Sequence, residues 1–197
     1  MANICDTCVA FFSPENDINA VKNGYEILNK SFEKHVEKER FGYLWIGDLF
    51  EDLEIEPTDY MRTSIYYVGE PHIGHKPSCS ECDGSYFTVD ASEAWAANVD
   101  AWDKIADKLG LKYVYCAVEP GCEIFVNTDI YGIAFDFDYY FENENGTWYP
   151  VNEEELVKIF NEEYSTDCSS YEDCEKEAGK IRHETNEWCT IARFDYA

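Results

Sequence analysis

The chain has 197 residues, 45% of them hydrophobic and 16% aromatic, which is enough for a buried core in one domain, or one domain with an appendage, and too many for wholesale disorder. Acids number 41 against 15 bases, a net charge of −26. That balance excludes ordinary phosphate-backbone binding, which needs a Lys/Arg surface, and an anionic membrane would repel it.

The opening MANICDTCVAFFSPEND carries no basic leader before an apolar stretch, and no run approaches the roughly 18 apolar residues of a membrane helix. The expectation is a soluble, cytoplasmic protein whose nine cysteines are mostly free thiols. NICDTCVAFF suits a first strand. Ser13-Pro14-Glu15 reads as a helix start, with Ser13 as cap and Pro14 in the first turn. Ile18, Val21, Tyr25, Leu28 and Phe32 recur at helical spacing, so that helix runs to about His35 and crosses Gly24 at some cost. Residues 41–60 read as a short helix or irregular insertion closed by Pro57. TSIYYVG and SYFTVD are β-rich and flank a turn-like PHIGHKPSCSECDG, which predicts a hairpin with a long tip. Asn98 caps a helix with Val99, Trp102, Ile105, Ala106 and Leu109 on one face, ended by Gly110. KYVYCAVEPGCEIFVNTD reads as two strands about Pro120-Gly121.

GIAFDFDYYF and TWYPV bracket ENENG as another hairpin. Period-2 spacing there sets Phe135, Phe137 and Tyr139 on one face and Asp136, Asp138 and Tyr140 on the other. After Pro150, NEEELVKIFNEEY and SSYEDCEKEAGKIRHE read as helices and EWCTIARFDY as a last strand. The order β-α-β-β-α-β matches the split βαβ, ferredoxin-like arrangement. The expected fold is therefore α+β: an antiparallel ferredoxin-like sheet over residues 1–130 with helices on one face and an insertion at about 41–60. An acidic hairpin and an α-α-β extension over 131–197 would pack on it as one compact unit.

The start NICDTCVAFFS resembles the Asn-led first strand of the YubB-type ferredoxin-like domain found in phage and plasmid proteins. YFTVDASEAW, the Trp102 helix and LKYVYCAVEPGCEIFV resemble it too, with an aromatic strand leading into Ala94-Trp95 and a later strand ending in Glu119-Pro120-Gly121. The Pro expected soon after the Ala-Trp pair and the Gly after the last strand are absent. The resemblance covers roughly residues 1–130 and implies a fold and a mobile-element origin. It carries over no catalytic residues.

The densest metal-like spacing is His72-x-x-His75-x-x-x-Cys79-x-x-Cys82, a tetrahedral nitrogen and sulfur set of the kind zinc favours; the alternative is a polar hairpin tip. Cys5 and Cys8 form a second Cys-x-x-Cys, but in the expected topology they start a strand antiparallel to the one after Cys82, so the two pairs sit at opposite ends. A Cys-x-x-Cys redox motif belongs at a helix N-terminus, not in a strand. ENENGTWYPVNE fails as an EF-hand, because Phe141 and Asn152 stand where Asp and Glu are required. A looser cation site among Asp136, Asp138, Glu142 and Glu144 is a further reading. No phosphate loop, nucleophile elbow or His-Glu-x-x-His pattern occurs, so the sequence supports no enzyme activity.

Three explanations compete for the acidity: solubility, adaptation to high salt, and imitation of a nucleic acid. Lys outnumbers Arg eleven to four, which argues against salt adaptation. Strand carboxylates on one face lie about 6.7 Å apart, and DNA carries one charge per roughly 3.4 Å of axis per strand. Such spacings suit rows of Lys and Arg. The candidate docking acids are Asp136, Asp138, Glu142 and Glu144 at the hairpin, Glu153, Glu154 and Glu155 at a helix start, and Asp48, Glu51, Asp52, Glu54 and Glu56 in the insertion. The expected partner is a basic nucleic-acid-binding protein or ribonucleoprotein complex of the host, bound and inhibited by nucleic-acid mimicry of the anti-CRISPR or anti-restriction type. No nucleic acid, membrane or cofactor is expected. The alternative is a zinc-binding module or small metal-dependent enzyme on the His72–Cys82 tip.

Overall fold

The computed structural model describes residues 3–36, 42–58, 62–74, 84–185 and 187–196. The fold is α+β with five α-helices among the described residues, and the chain divides into two compact units, residues 1–135 and 136–196.

In the first unit β1 (Ile4–Phe12) is a central strand. It pairs antiparallel with β4 (Tyr86–Ala94) on one side and β5 (Lys112–Glu119) on the other, with Val9 opposite both Val89 and Tyr115. β3 (Thr63–Val68) pairs with β4, the two-residue β2 (Leu44–Trp45) with β3, and β6 (Ile124–Asn127) with β5. The run of strands is β6-β5-β1-β4-β3-β2. Helices α1 (Ile18–Val36), α2 (Ile46–Leu53) and α3 (Val99–Leu109) share one core against one face of this sheet. Alternation supplies that face: Val9 and Phe11 on β1, and Phe87, Val89 and Ala91 on β4. The helices answer with residues three, four and seven apart, Val21 and Leu28 on α1, Leu49, Phe50 and Leu53 on α2, and Trp102, Ile105 and Ala106 on α3. Phe11 stacks on Phe87 with centroids 5.3 Å apart and meets Trp102 at 6.2 Å.

Gly24 lets α1 pack close against Leu111 and Phe87. A Cβ there would stand 2.7 Å from Leu111 Cδ1 and 3.4 Å from a ring carbon of Phe87. Packing therefore outweighs the helix propensity lost at this position.

Four local expectations are corrected. Asn98 stands at the start of α3 but makes no side-chain cap, and its amide donates to Thr63 Oγ1 at 3.1 Å instead. The Ser13 hydroxyl does not cap the helix directly. It accepts the N–H groups of Glu15 and Asp17, closing a turn, while the Asp17 carboxylate accepts from Asn19 at 2.9 Å and α1 begins at Ile18. Pro120–Cys122 forms a 3-10 turn rather than a type II turn. The strand expected from Gly132 begins only at Tyr139. Asp129 Oδ2 accepts the N–H groups of Ala134 and Phe135 at 2.7 and 2.9 Å, and Asn127 Nδ2 donates to the Phe135 carbonyl at 3.1 Å. Side chains thus take the backbone groups that a ladder would have used.

The second unit is a three-stranded antiparallel sheet in the order β8-β7-β9, with β7 (Tyr139–Asn143) central, β8 (Gly146–Trp148) and β9 (Cys189–Arg193). Glu144 and Asn145 form the two-residue turn between Asn143 and Gly146. Helices α4 (Glu153–Tyr164) and α5 (Tyr171–Glu184) start on side-chain caps: Asn152 accepts from Glu155 N and Ser170 from Asp173 N. Tyr139, Phe141, Leu156, Phe160, Cys174, Ala178 and Cys189 make its core. Among the described residues no helix is long and apolar enough to cross a membrane.

Candidate docking surface

The acids of the insertion divide by position on α2. Asp52 faces α1, where its carboxylate accepts from Ser31 Oγ at 2.7 Å and His35 Nε2 at 3.0 Å and pairs with Lys34. Burial works to raise its pKa, but the hydrogen bonds from Lys34, Ser31 and His35 prevail and hold it down to about 2. Asp48 lies 4.0 Å from His35 Nδ1. Glu51, Glu54 and Glu56 are exposed and their carboxylates have no partner among the described residues.

The hairpin acids do not form one strand face. Asp136 and Asp138 precede β7, and Tyr139, Tyr140 and Phe141 are three consecutive buried residues, so the alternation of aromatic and acid ends where the ladder begins. The 6.7 Å strand spacing therefore does not apply to Asp136 and Asp138. Asp138 accepts from the Tyr196 hydroxyl, and Glu142 accepts from the Tyr140 and Thr147 hydroxyls. At the start of α4, Glu153 accepts from Tyr171 N at 2.9 Å and stands 3.9 Å from Arg193, while Glu155 accepts from Val151 N at 2.8 Å. Arg193, on β9, also donates to the Tyr139 hydroxyl at 2.9 Å and lies over the rings of Tyr139 and Tyr171 at 5.2 and 5.4 Å. It is the counter-charge that the sequence between Lys112 and Lys158 lacks. Asp136, Glu144 and Glu154 are exposed with no carboxylate partner among the described residues.

Of the twelve candidate acids, six are therefore engaged within the fold and six point to solvent: Glu51, Glu54 and Glu56 in the first unit, and Asp136, Glu144 and Glu154 in the second. The looser cation site at the hairpin does not assemble, since Asp138 and Glu142 are held by tyrosines. Among the described residues no group of three or more His, Cys, Asp or Glu could hold a metal ion. His72 forms a backbone bridge with Tyr86 and stacks on its ring at 4.8 Å. His75, Cys79 and Cys82 lie outside the described residues.

Two adjacent features bear on the sequence reading: one escaped it, and one it had set aside. The first is Glu93, 2% exposed at the end of β4. It accepts from Thr7 Oγ1 at 2.7 Å, Trp102 Nε1 at 2.9 Å, Asn98 N at 3.0 Å and Thr63 Oγ1 at 3.1 Å, tying three strands to the start of α3. Burial pushes its pKa up, and the four donors oppose that rise. A signal existed: the alternation that sends Phe87, Val89 and Ala91 inward sends Glu93 with them. The second is the Cys5–Cys8 pair. An odd spacing along one strand sends the two thiols to opposite faces. Burial raises the Cys5 thiol to about 11 and drives Cys8 up further, with Asp90 adding to it, so neither is a thiolate at neutral pH.

No protein-family model, curated protein or solved structure matches this chain.

Proposed function

We propose that this chain is an acidic mobile-element protein that inhibits a basic nucleic-acid-binding protein by occupying its nucleic-acid groove. The observation that carries the reading is that six of the candidate acids are exposed and unpartnered among the described residues, in a chain of net charge −26. Engaged carboxylates such as Asp52 and Glu153 already have their donors. The six others are open to a partner and lower the stability of the free protein by mutual repulsion, a cost that docking on a positive groove relieves. The path β1-α1-β3-β4-α3-β5 with strand order β5-β1-β4-β3 supports a ferredoxin-like reading of residues 1–130. Through the YubB-type resemblance it also supports a phage or plasmid origin, where inhibitors of CRISPR and restriction complexes are useful. That last link is an analogy of fold.

The test is salt-dependent capture from a bacterial lysate followed by competition. The captured protein should bind nucleic acid by itself, release this chain steeply with added salt and release it to DNA or RNA. Two triple variants, Asp136→Lys/Glu144→Lys/Glu154→Lys and Glu51→Lys/Glu54→Lys/Glu56→Lys, map the docking face, and at least one should lose most binding. Simultaneous binding of this chain and nucleic acid would refute mimicry, as would full binding by both variants.

A further inference from the structure

The first unit has an open hollow of about 330 Å³ between the outer face of α3 and the start of β5. Its volume falls at the lower end of small-molecule sites, about 300–1,000 Å³. Two carboxylates one helical turn apart, Asp103 and Asp107, line it on the helix side, and two tyrosines, Tyr113 and Tyr115, line it on the strand side. The tyrosine rings are nearly parallel, 27° between planes with centroids 6.4 Å apart. Each is held in place. Tyr113 donates its hydroxyl to Asp103 Oδ1 at 2.9 Å, and the Tyr115 backbone is clamped on both sides by Thr128 Oγ1, at 2.8 and 3.2 Å. Burial first, then the Asp103 carboxylate, raises the Tyr113 pKa, so the phenol stays a donor. Asp103 Oδ2 and both oxygens of Asp107 have no partner among the described residues. Lys112 lines the same hollow and forms no ion pair with either.

We propose that this hollow is a binding site for a guanidinium group. A guanidinium is flat, permanently charged and weakly hydrated, presents paired N–H groups to carboxylates, and stacks on aromatic faces. The hollow combines those elements: fixed aromatic walls for the plane and unpartnered carboxylate oxygens for the N–H groups. An ammonium head would be drawn to the charge and the ring faces but has no plane to stack on them. The site goes beyond the groove-occupying reading and does not rest on it. Its ligand is the arginine side chain of a protein or a free guanidinium compound.

The experiment is a 1H–15N titration of the full chain at low ionic strength with N-acetyl-arginine amide. Its neutral isostere N-acetyl-citrulline amide and spermidine serve as controls. The arginine derivative should shift amides between residues 103 and 115 saturably, and the citrulline derivative should not. Asp107→Asn should weaken binding about fivefold, the scale of an exposed charge pair, whereas Glu26→Gln, on α1, should leave it unchanged. Asp107 is exposed, so its variant should keep the wild-type spectrum elsewhere. Agmatine and a capped Gly-Arg-Gly peptide separate the two sources: the tighter of them identifies the ligand as free or protein-borne. Equal shifts with citrulline, shifts spread over the acidic surface as with spermidine, or an unchanged affinity for Asp107→Asn would overturn the site.

Discussion

Replacing Glu93 by Ala should be among the most damaging single changes in the first unit. The substitution removes the acceptor of four buried donors. The hydroxyls of Thr7 and Thr63 can rotate toward other acceptors. The Asn98 N–H and the Trp102 indole N–H cannot, and each orphaned buried donor costs about 1–3 kcal/mol, so the pair costs about 2–6 kcal/mol. Relief of the buried charge offsets part of this and the cavity left behind adds to it. Against a typical domain stability of about 5–15 kcal/mol, such a loss places the unit near its folding threshold. Glu93→Gln keeps one oxygen but turns an NH2 group toward either Asn98 N–H or Trp102 Nε1–H, so one donor is orphaned and the cost is about 1–3 kcal/mol. Urea unfolding read from the amide signals of Val9 and Val89 reports on this unit alone, which matters because the two units need not unfold together. A loss below about 1 kcal/mol for Glu93→Ala would refute the view that this carboxylate organises the junction.

The same residue carries a pH signature. Its pKa is raised in the fold, so its contribution is fullest below the unfolded value of about 4.3 and is lost as pH rises through the folded value. The stability of wild type relative to Glu93→Gln should therefore fall from pH 4 to pH 7, and a flat difference would be inconsistent with the raised pKa. Asp52 has the opposite sign. Held down to about 2, it stabilises above the unfolded value of about 3.9 and loses that contribution as pH falls toward 2. Asp52→Asn should thus cost about 1–2 kcal/mol at pH 7 after screening, with most of that cost gone by pH 2, by the same urea assay. Gly24→Ala gains about 1 kcal/mol of helix propensity but drives a methyl against Leu111, and strain of about 1–3 kcal/mol should make the net change destabilising; a higher melting temperature would show that Leu111 yields. Phe160→Ala, in the core of the second unit, should cost about 3–5 kcal/mol on a probe at Phe141 and leave Val9 unchanged.

The first unit was legible where local pattern and tertiary packing agree. The period of Ile18, Val21, Tyr25 and Leu28 names the buried face of α1, and Gly110 ends α3 in the left-handed conformation because that cap chemistry is local, whereas Asn98 marks the start of α3 without a side-chain cap. Legibility failed where a distant group decides. Gly24 looks like a weakness until Leu111 stands beside it. The run FDFDYYF has strand spacing, but Asn127 and Asp129 claim the backbone at Ala134 and Phe135, and no periodicity reports that. The candidate docking acids were legible as composition, not as sites. Which carboxylates remain open depends on donors far along the chain: Ser31 and His35 for Asp52, Tyr171 and Arg193 for Glu153. Trp95 shows the reverse case. Its place after the β4 strand was evident, but its left-handed backbone, φ 77°, was not, since a bulky residue there is strained.

The outer margin of the first unit's sheet has a consequence for solution behaviour. Among the described residues β2 covers only Ser64 and Ile65 of β3, and the pairing of β3 with β4 shifts register between Ile65 and Tyr67. The extra residue leaves both Tyr66 and Tyr67 about half exposed. A long regular margin of aromatic and β-branched residues would recruit a second chain by strand addition, and an irregular, interrupted one offers no continuous template. Charge repulsion between chains guards against the same association at neutral pH, but it vanishes as the carboxylates are neutralised by acid or by a cationic partner. The interrupted margin keeps working under those conditions, so a chain that sheds its net charge on docking still has a geometric defence against aggregation.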